Sequence, residues 1–177
     1  MYKVIACKVS DLISKSVLML PVPENEVLTQ DDVTNFFKEH PQATRIKIPE
    51  GVEIIGDRAF YGCEQLECVE LPSGLREIGG GAFRGCKSLK AIKIPEGVGR
   101  LGEASFKGCE KLEHVELPSS LREIGWNAFR GCKSLKTIKI PEGVEILEEF
   151  VFDSCEQLVH VELPRSLREI GWNAFRG

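Results

Sequence analysis

The stretch Ile46-Lys47-Ile48-Pro49-Glu50-Gly51-Val52 decides the fold, because its pattern returns every 23 residues. Displacing the sequence by that length puts apolar residues into columns. Ile46, Val69, Ile92, Val115, Ile138 and Val161 form one, and Ile48, Leu71, Ile94, Leu117, Ile140 and Leu163 the next. Proline follows each member of the second column, from Pro49 to Pro164. Val52, Ile55 and Phe60 begin three further columns, while Cys63 and Leu66 begin two that run to Cys155 and Leu158. No insertion interrupts the register. A fixed period in the twenties specifies a solenoid, in which each unit buries its apolar surface only against its neighbours.

The units run 44–66, 67–89, 90–112, 113–135 and 136–158, with a sixth reaching Gly177 before its Cys and Leu positions. In Leu66-Glu67-Cys68-Val69-Glu70-Leu71 the alternation predicts a strand. It turns Val69 and Leu71 inward, and Cys68 and Glu70 outward. Proline then ends the strand and glycine lets the chain turn. Val52 and Ile55 return to the core, and Gly56 to Gly62 is expected to form a helical turn that inserts Phe60. Residues 1–43 lie off the register and are expected to cap the first repeat. Tyr2 to Val9 reads as a strand; Ser10 to Leu20 fits either a helix or a helix followed by a strand; Pro21 to Glu26 reads as a loop. Thr29 is a helix N-cap with Asp31 and Asp32 in the first turn. Val33, Phe36 and Phe37 give that helix one apolar face, and Pro41 after His40 ends it.

Composition bounds the function. The 177 residues are 42% hydrophobic and 28% charged, which fits a folded domain. A net charge of -4 disfavours nucleic acid or an anionic membrane as partner. No apolar run approaches the roughly 20 residues that span a bilayer. Val17 to Leu20 is too short for a signal-peptide core, so the chain reads as cytosolic unless a leader has been removed or export uses another signal. Five of the seven cysteines keep the repeat register, which predicts a ladder of buried free thiols rather than disulfides or metal ligands. Cys7 and Cys68 lie outside that column, and thiol reagents are expected to modify Cys68, with Cys7 the next candidate, well before the others.

Repeats such as Leu-Pro-Ser-Ser-Leu-Arg-Glu-Ile-Gly-Trp-Asn-Ala-Phe-Arg-Gly-Cys-Lys-Ser-Leu (117–135) resemble the BspA-type leucine-rich repeats. That family occurs in surface and secreted proteins of host-associated bacteria and in some protists. The resemblance covers residues 44–177. It implies an α/β repeat solenoid, a right-handed superhelix with a parallel sheet on one face and short helical turns opposite, behind a small N-terminal α+β cap. It also implies a role in binding proteins or host surfaces. Glu148, Val151 and Ser154 replace the usual Gly, Ala and Gly, so irregularity is expected there.

A second period of 46 residues overlies the first. Outward strand positions read Lys47, Glu70, Lys93, Glu116, Lys139, Glu162, a ladder of alternating charge at about 4.8 Å spacing. Solubility and register explain it better than ligand binding does, since exposed pairs contribute at most about 1 kcal/mol each. The companion column, Arg45, Cys68, Ala91, His114, Thr137, His160, varies as a recognition surface or neutral drift would. Trp126 and Trp172 occupy equivalent positions, either as flank anchors for a partner or as one surface tryptophan copied by duplication. No nucleophile–base arrangement accompanies His40, His114 or His160. Gly79 to Gly85 imitates a phosphate loop, but its lysine–serine pair, Lys87-Ser88, is displaced from the required glycine.

These readings point to a non-catalytic scaffold that needs no cofactor or metal and binds a protein through the sheet face. Two other readings stay open: the recognition segment of a longer effector or enzyme, and a structural or assembly module. The C-terminal unit is expected to leave apolar surface uncovered, favouring homo-association end to end or mobility beyond about Leu167.

Overall fold

The computed structural model describes residues 17–23 and 25–177. The strand expected over Tyr2–Val9, Cys7 and the first part of the Ser10–Leu20 segment lie outside the described residues. The chain coils as a parallel solenoid of about six turns. Every turn contributes one strand to each of two ladders. The first contains β1 (Leu18–Met19), β3 (Arg45–Lys47), β5 (Cys68–Glu70), β7 (Ala91–Lys93), β9 (His114–Glu116), β11 (Thr137–Lys139) and β13 (His160–Glu162). The second contains β2 (Val27–Leu28), β4 (Ile54–Ile55), β6 (Glu77–Ile78), β8 (Arg100–Leu101), β10 (Glu123–Ile124), β12 (Ile146–Leu147) and β14 (Glu169–Ile170). The segment before Thr44 joins both ladders, with Leu18 opposite Ile46 and Val27 opposite Ile54.

The single helix among the described residues, α1 (Gln30–Glu39), starts where the sequence places it. The Thr29 hydroxyl accepts from the Asp32 N–H while the Asp32 carboxylate accepts from the Thr29 N–H, a reciprocal capping box. Val33 and Phe36 face the core.

The expected helical turns opposite the sheet are absent from the described repeats. The segment 58–62 spends alternate N–H groups on the next repeat: Arg58 to Gly80 O, Phe60 to Ala82 O and Gly62 to Arg84 O, at 2.9, 2.7 and 2.8 Å. The intervening amides close tight turns, Ala59 to Gly56 O and Tyr61 to Arg58 O. Residues at the first and last of these positions, such as Arg58 and Gly62, have φ of 56° and 72°. A helix would keep those donors to itself and exclude left-handed residues. The third side is therefore a hydrogen-bonded ladder of turns.

The interior is a set of columns. Phe60, Phe83, Phe106, Phe129 and Phe152 are buried and stack in parallel, with centroids 4.9 to 5.6 Å apart. Phe175 extends the stack at 5.4 Å. The thiols of Cys86, Cys109, Cys132 and Cys155 each donate to the carbonyl of the phenylalanine one repeat back, Phe60, Phe83, Phe106 and Phe129, at 3.1 to 3.3 Å. The column is thus reduced and interior, as its register predicted, with Cys63 at the open first rung only half-buried.

The 46-residue period has a physical cause. Glu50, Glu96 and Glu142 reach to the next repeat, where each carboxylate accepts from the turn: Ser73, Ser119 with Ser120, and Arg165 with Ser166. Ser120 and Ser166 reciprocate by accepting from Gly97 and Gly143. These clasps join repeats one to two, three to four and five to six, so the solenoid is built from clasped double units.

One junction between double units is looser. β9 is not hydrogen-bonded to β11, nor β10 to β12, although both pairs remain adjacent. The cause is legible in the glycine column Gly79, Gly102, Gly125, Gly171. A Cβ on these residues would stand 2.5 to 2.8 Å from the backbone of the preceding repeat. Glu148 occupies the same column and carries that Cβ. The backbones separate there, which is the irregularity expected at Glu148. Phe129 N to Val151 O and Gly131 N to Asp153 O, at 2.9 and 2.8 Å, keep the turn side closed.

Candidate interaction surfaces

The outward face of the first ladder changes character along its length. Arg45 and Cys68 are buried, 7% and 8% exposed. This corrects the expectation that both present an open surface and that Cys68 labels first: the face is covered at its N-terminal end. Ala91 is half-buried, whereas His114, Thr137 and His160 are exposed. In the charged column Lys47, Glu70 and Glu116 are half-buried, while Lys93, Lys139 and Glu162 are exposed. Lys93 pairs with Glu116 at 3.3 Å and Lys139 with Glu162, each within a double unit. The face open to a partner is therefore the stretch over β9, β11 and β13, where neutralised charge surrounds His114, Thr137 and His160.

Trp126 and Trp172 are 48% and 68% exposed on the turn side. Trp172 meets the Phe150 ring edge-on at 5.2 Å, and Glu149 stands between the two tryptophans in the column. Phe150 itself sits at φ 58°, in the left-handed region that a bulky side chain occupies only under constraint. Its ring packs beneath the Arg130 guanidinium at 5.5 Å.

Sequence reasoning missed the turn-side column Tyr61, Arg84, Lys107, Arg130, Asp153, Arg176. Asp153 is fully buried; it accepts a 2.8 Å hydrogen bond from Arg176 Nε and forms an ion pair with Arg130 Nε at the same distance. Such a carboxylate is tolerated because two arginines compensate its charge, one of them through a charge-assisted hydrogen bond. Arg84 stacks over Tyr61 at 5.6 Å. Burial, then the charges of Arg130 and Arg84, hold the Lys107 ammonium below lysine's ordinary pKa. The signal was present as a run of basic residues at one register position, but the alternating columns drew attention elsewhere.

Burial pushes every repeat-register thiol up: Cys63 to about 11, Cys155 to about 12, and Cys86, Cys109 and Cys132 further. The column is packing material, not a set of nucleophiles. Among the described residues no three His, Cys, Asp or Glu side chains gather as metal ligands would, and no helix is long and apolar enough to cross a membrane.

Comparison with known proteins agrees with this architecture. The family model for the BspA type leucine rich repeat region matches six copies over residues 33–144 and 82–177. The crystal structure of a leucine-rich repeat protein of T. pallidum is similar at a TM-score of 0.70 and 40% identity, covering 72% of this chain and 60% of that one. A leucine rich cell surface protein of Faecalibacterium prausnitzii gives 0.67 and 30%, covering 76% of this chain and 45% of that one. This chain thus spans less than two thirds of either solved relative. No curated protein matches the sequence.

Proposed function

Because the chain belongs to the BspA-type leucine-rich repeat family, we propose that it is a non-catalytic scaffold whose sheet face binds a protein. The carrying observation is the graded face. Arg45 and Cys68 are buried at one end, while His114, Thr137 and His160 stand exposed in a single column over the last three strands. A flat strand face with its charges already paired suits a partner that contributes neutral hydrogen-bonding groups, and it opposes binding of a polyanion there. Lys93, Glu116, Lys139 and Glu162 form the rim, and Trp126 and Trp172 supply anchors for a partner that wraps to the turn side. Attachment at the surface of a host-associated microbe extends this reading, supported by the F. prausnitzii relative's description as a cell surface protein. The exposed Leu163, Ile170 and Phe175 of the sixth repeat support end-to-end contact with a second copy, which light scattering across a concentration range would detect.

The test captures a partner with the intact chain as bait and compares a variant carrying His114→Ala, Thr137→Ala and His160→Ala. These substitutions are solvent-exposed and should leave the melting temperature unchanged while weakening capture at least tenfold. Undiminished capture by the triple variant would place the binding surface elsewhere.

A further inference from the structure

One column breaks the charge rule that most of the surface obeys. Elsewhere a cation meets a carboxylate on the adjacent rung, as in Arg76–Glu53, Lys87–Glu64, Lys90–Glu67 and Arg168–Glu145. On the turn side, Arg84, Lys107 and Arg130 occupy three successive rungs with no acid between them. Their carbonyls accept from Gly62, Gly85 and Gly108 at 2.8 Å, which fixes the backbones one rung apart, about 4.8 Å. Arg58 joins them. A Cβ on Gly81 would lie 3.6 Å from its Cγ and 3.8 Å from Cβ of Arg84, so the two arginines flank that glycine.

The nearby acids neutralise Arg130 and leave Arg84 and Lys107 without a paired carboxylate. Asp153 is engaged by Arg130 and Arg176, and Glu103 makes no ion pair within 4.0 Å with the described residues. The Arg84 side chain has only the Tyr61 ring, and the Lys107 ammonium forms no ion pair or hydrogen bond with the described residues. Lys107 is also half-buried, so water solvates it less well than the paired surface lysines. Partial dehydration and like-charge neighbours depress its pKa. Folding alone would not favour such a group; an anion between the cations would.

We propose that Arg84 and Lys107, flanked by Arg58 and Arg130, bind a tetrahedral oxyanion, a sulfate or a phosphate monoester. Such an anion presents oxygens in several directions and can accept charge-assisted bonds of about 2.7–2.9 Å from cations on adjacent rungs at once. A planar carboxylate spends both oxygens on one guanidinium. Tyr61 closes the column at one end and Asp153 at the other, so it suits one compact anion and not a polyanion. The site lies on the turn side, apart from the strand face proposed for a protein partner, and stands or falls independently of it.

The experiment titrates the full chain with sodium sulfate or sodium phosphate, replacing sodium chloride at constant ionic strength, and follows the amide resonances of Gly85 and Gly108. Saturable shifts are expected, with affinity lowered at least tenfold in Arg84→Gln and in Lys107→Gln. In chloride, Lys107→Gln should melt at or above the unsubstituted chain, because it removes repulsion; this separates lost binding from lost folding. Shifts that fail to saturate, or an affinity in either variant equal to that of the unsubstituted chain, would overturn the proposal. A lower melting temperature for Lys107→Gln in chloride would make the lysine structural and overturn it too. A sulfated monosaccharide and a phosphoserine peptide, titrated alongside, identify the carrier if either outbinds the inorganic ion; if neither does, the free ion is the ligand.

Discussion

Three glycines in this solenoid meet three different local conditions, and alanine separates them. At Gly102 an added Cβ would stand 2.5 Å from both Gly79 C and Gly80 N, about 1 Å inside the contact distance of carbon atoms. Backbone cannot rotate away as a side chain can, so the two repeats must part. Parting threatens the Gly102 N to Ile78 O and Gly81 N to Glu103 O bonds, both 2.7 Å, worth about 0.5–1.5 kcal/mol each. Overpacking of a close contact adds about 1–3 kcal/mol. Gly102→Ala should therefore destabilise the chain by about 2–4 kcal/mol, the lower part of the summed range because the rung can relax as it does at Glu148. Gly51 has open space around its Cβ position but φ of 98°, so Gly51→Ala tests backbone strain alone, about 1–3 kcal/mol. Gly74 has neither obstacle, and Gly74→Ala should stabilise by about 0.4–1 kcal/mol through the unfolded chain. Urea unfolding gives the three values, and hydrogen exchange should show new protection loss at Gly81 and Gly102 in Gly102→Ala only. Equal stability of the Gly102→Ala and Gly74→Ala variants would refute the close-packing account of this column, and with it the explanation of the open junction at Glu148.

Two further outcomes are expected. Thiol reagents should modify Cys63 first among the described cysteines, slowly near neutral pH because its pKa is raised to about 11; Cys86, Cys109 and Cys132 should react only as the chain unfolds, and early labelling of Cys109 in mass spectra would contradict the buried ladder. Glu96 is held below the ordinary carboxylate range by its bonds to the Ser119 N–H and hydroxyl, then Ser120. A depressed folded pKa adds stability above the unfolded pKa and loses it as pH falls through the folded one. Acid titration of the melting temperature should therefore separate the chain from Glu96→Gln near neutral pH and bring the two together at low pH; a constant separation would show that the carboxylate charge is irrelevant.

The repeat register carried most of the fold because each column answers to one packing demand. Ile46, Phe60 and Cys86 are buried for the reasons their spacing announces: period two on the strand, one ring per rung, one small thiol beneath it. The turn side was less legible. Gly56 to Gly62 has the length and composition of a helical turn, and only the neighbouring repeat reveals that its donors go outward. Cys68 shows a similar limit, since alternation tells which face a side chain takes and not what else covers that face. His114, Thr137 and His160, outward by the same alternation, are exposed. Arg84 and Lys107 escaped notice because like-charge neighbours become informative only when their missing counterions can be seen.

The doubled period acquires meaning from the junctions. Glu96 clasps Ser119 and Ser120 inside a double unit, whereas no equivalent clasp crosses from repeat four to repeat five. There Arg122 folds back to donate to Ser119 O and Leu121 O, and its guanidinium lies where a Cβ on Gly143 would be 2.7 Å away. Because solenoid stability is a sum over neighbours, cooperativity should weaken first at this junction, with repeats five and six able to separate as a clasped pair. The turn-side bonds and the Phe129–Phe152 stack oppose that separation, and Asp153 reinforces them by tying Arg130 of repeat four to Arg176 of repeat six. The buried carboxylate thus stands where two ladders have lapsed, bridging the loosest boundary in the molecule from its opposite side.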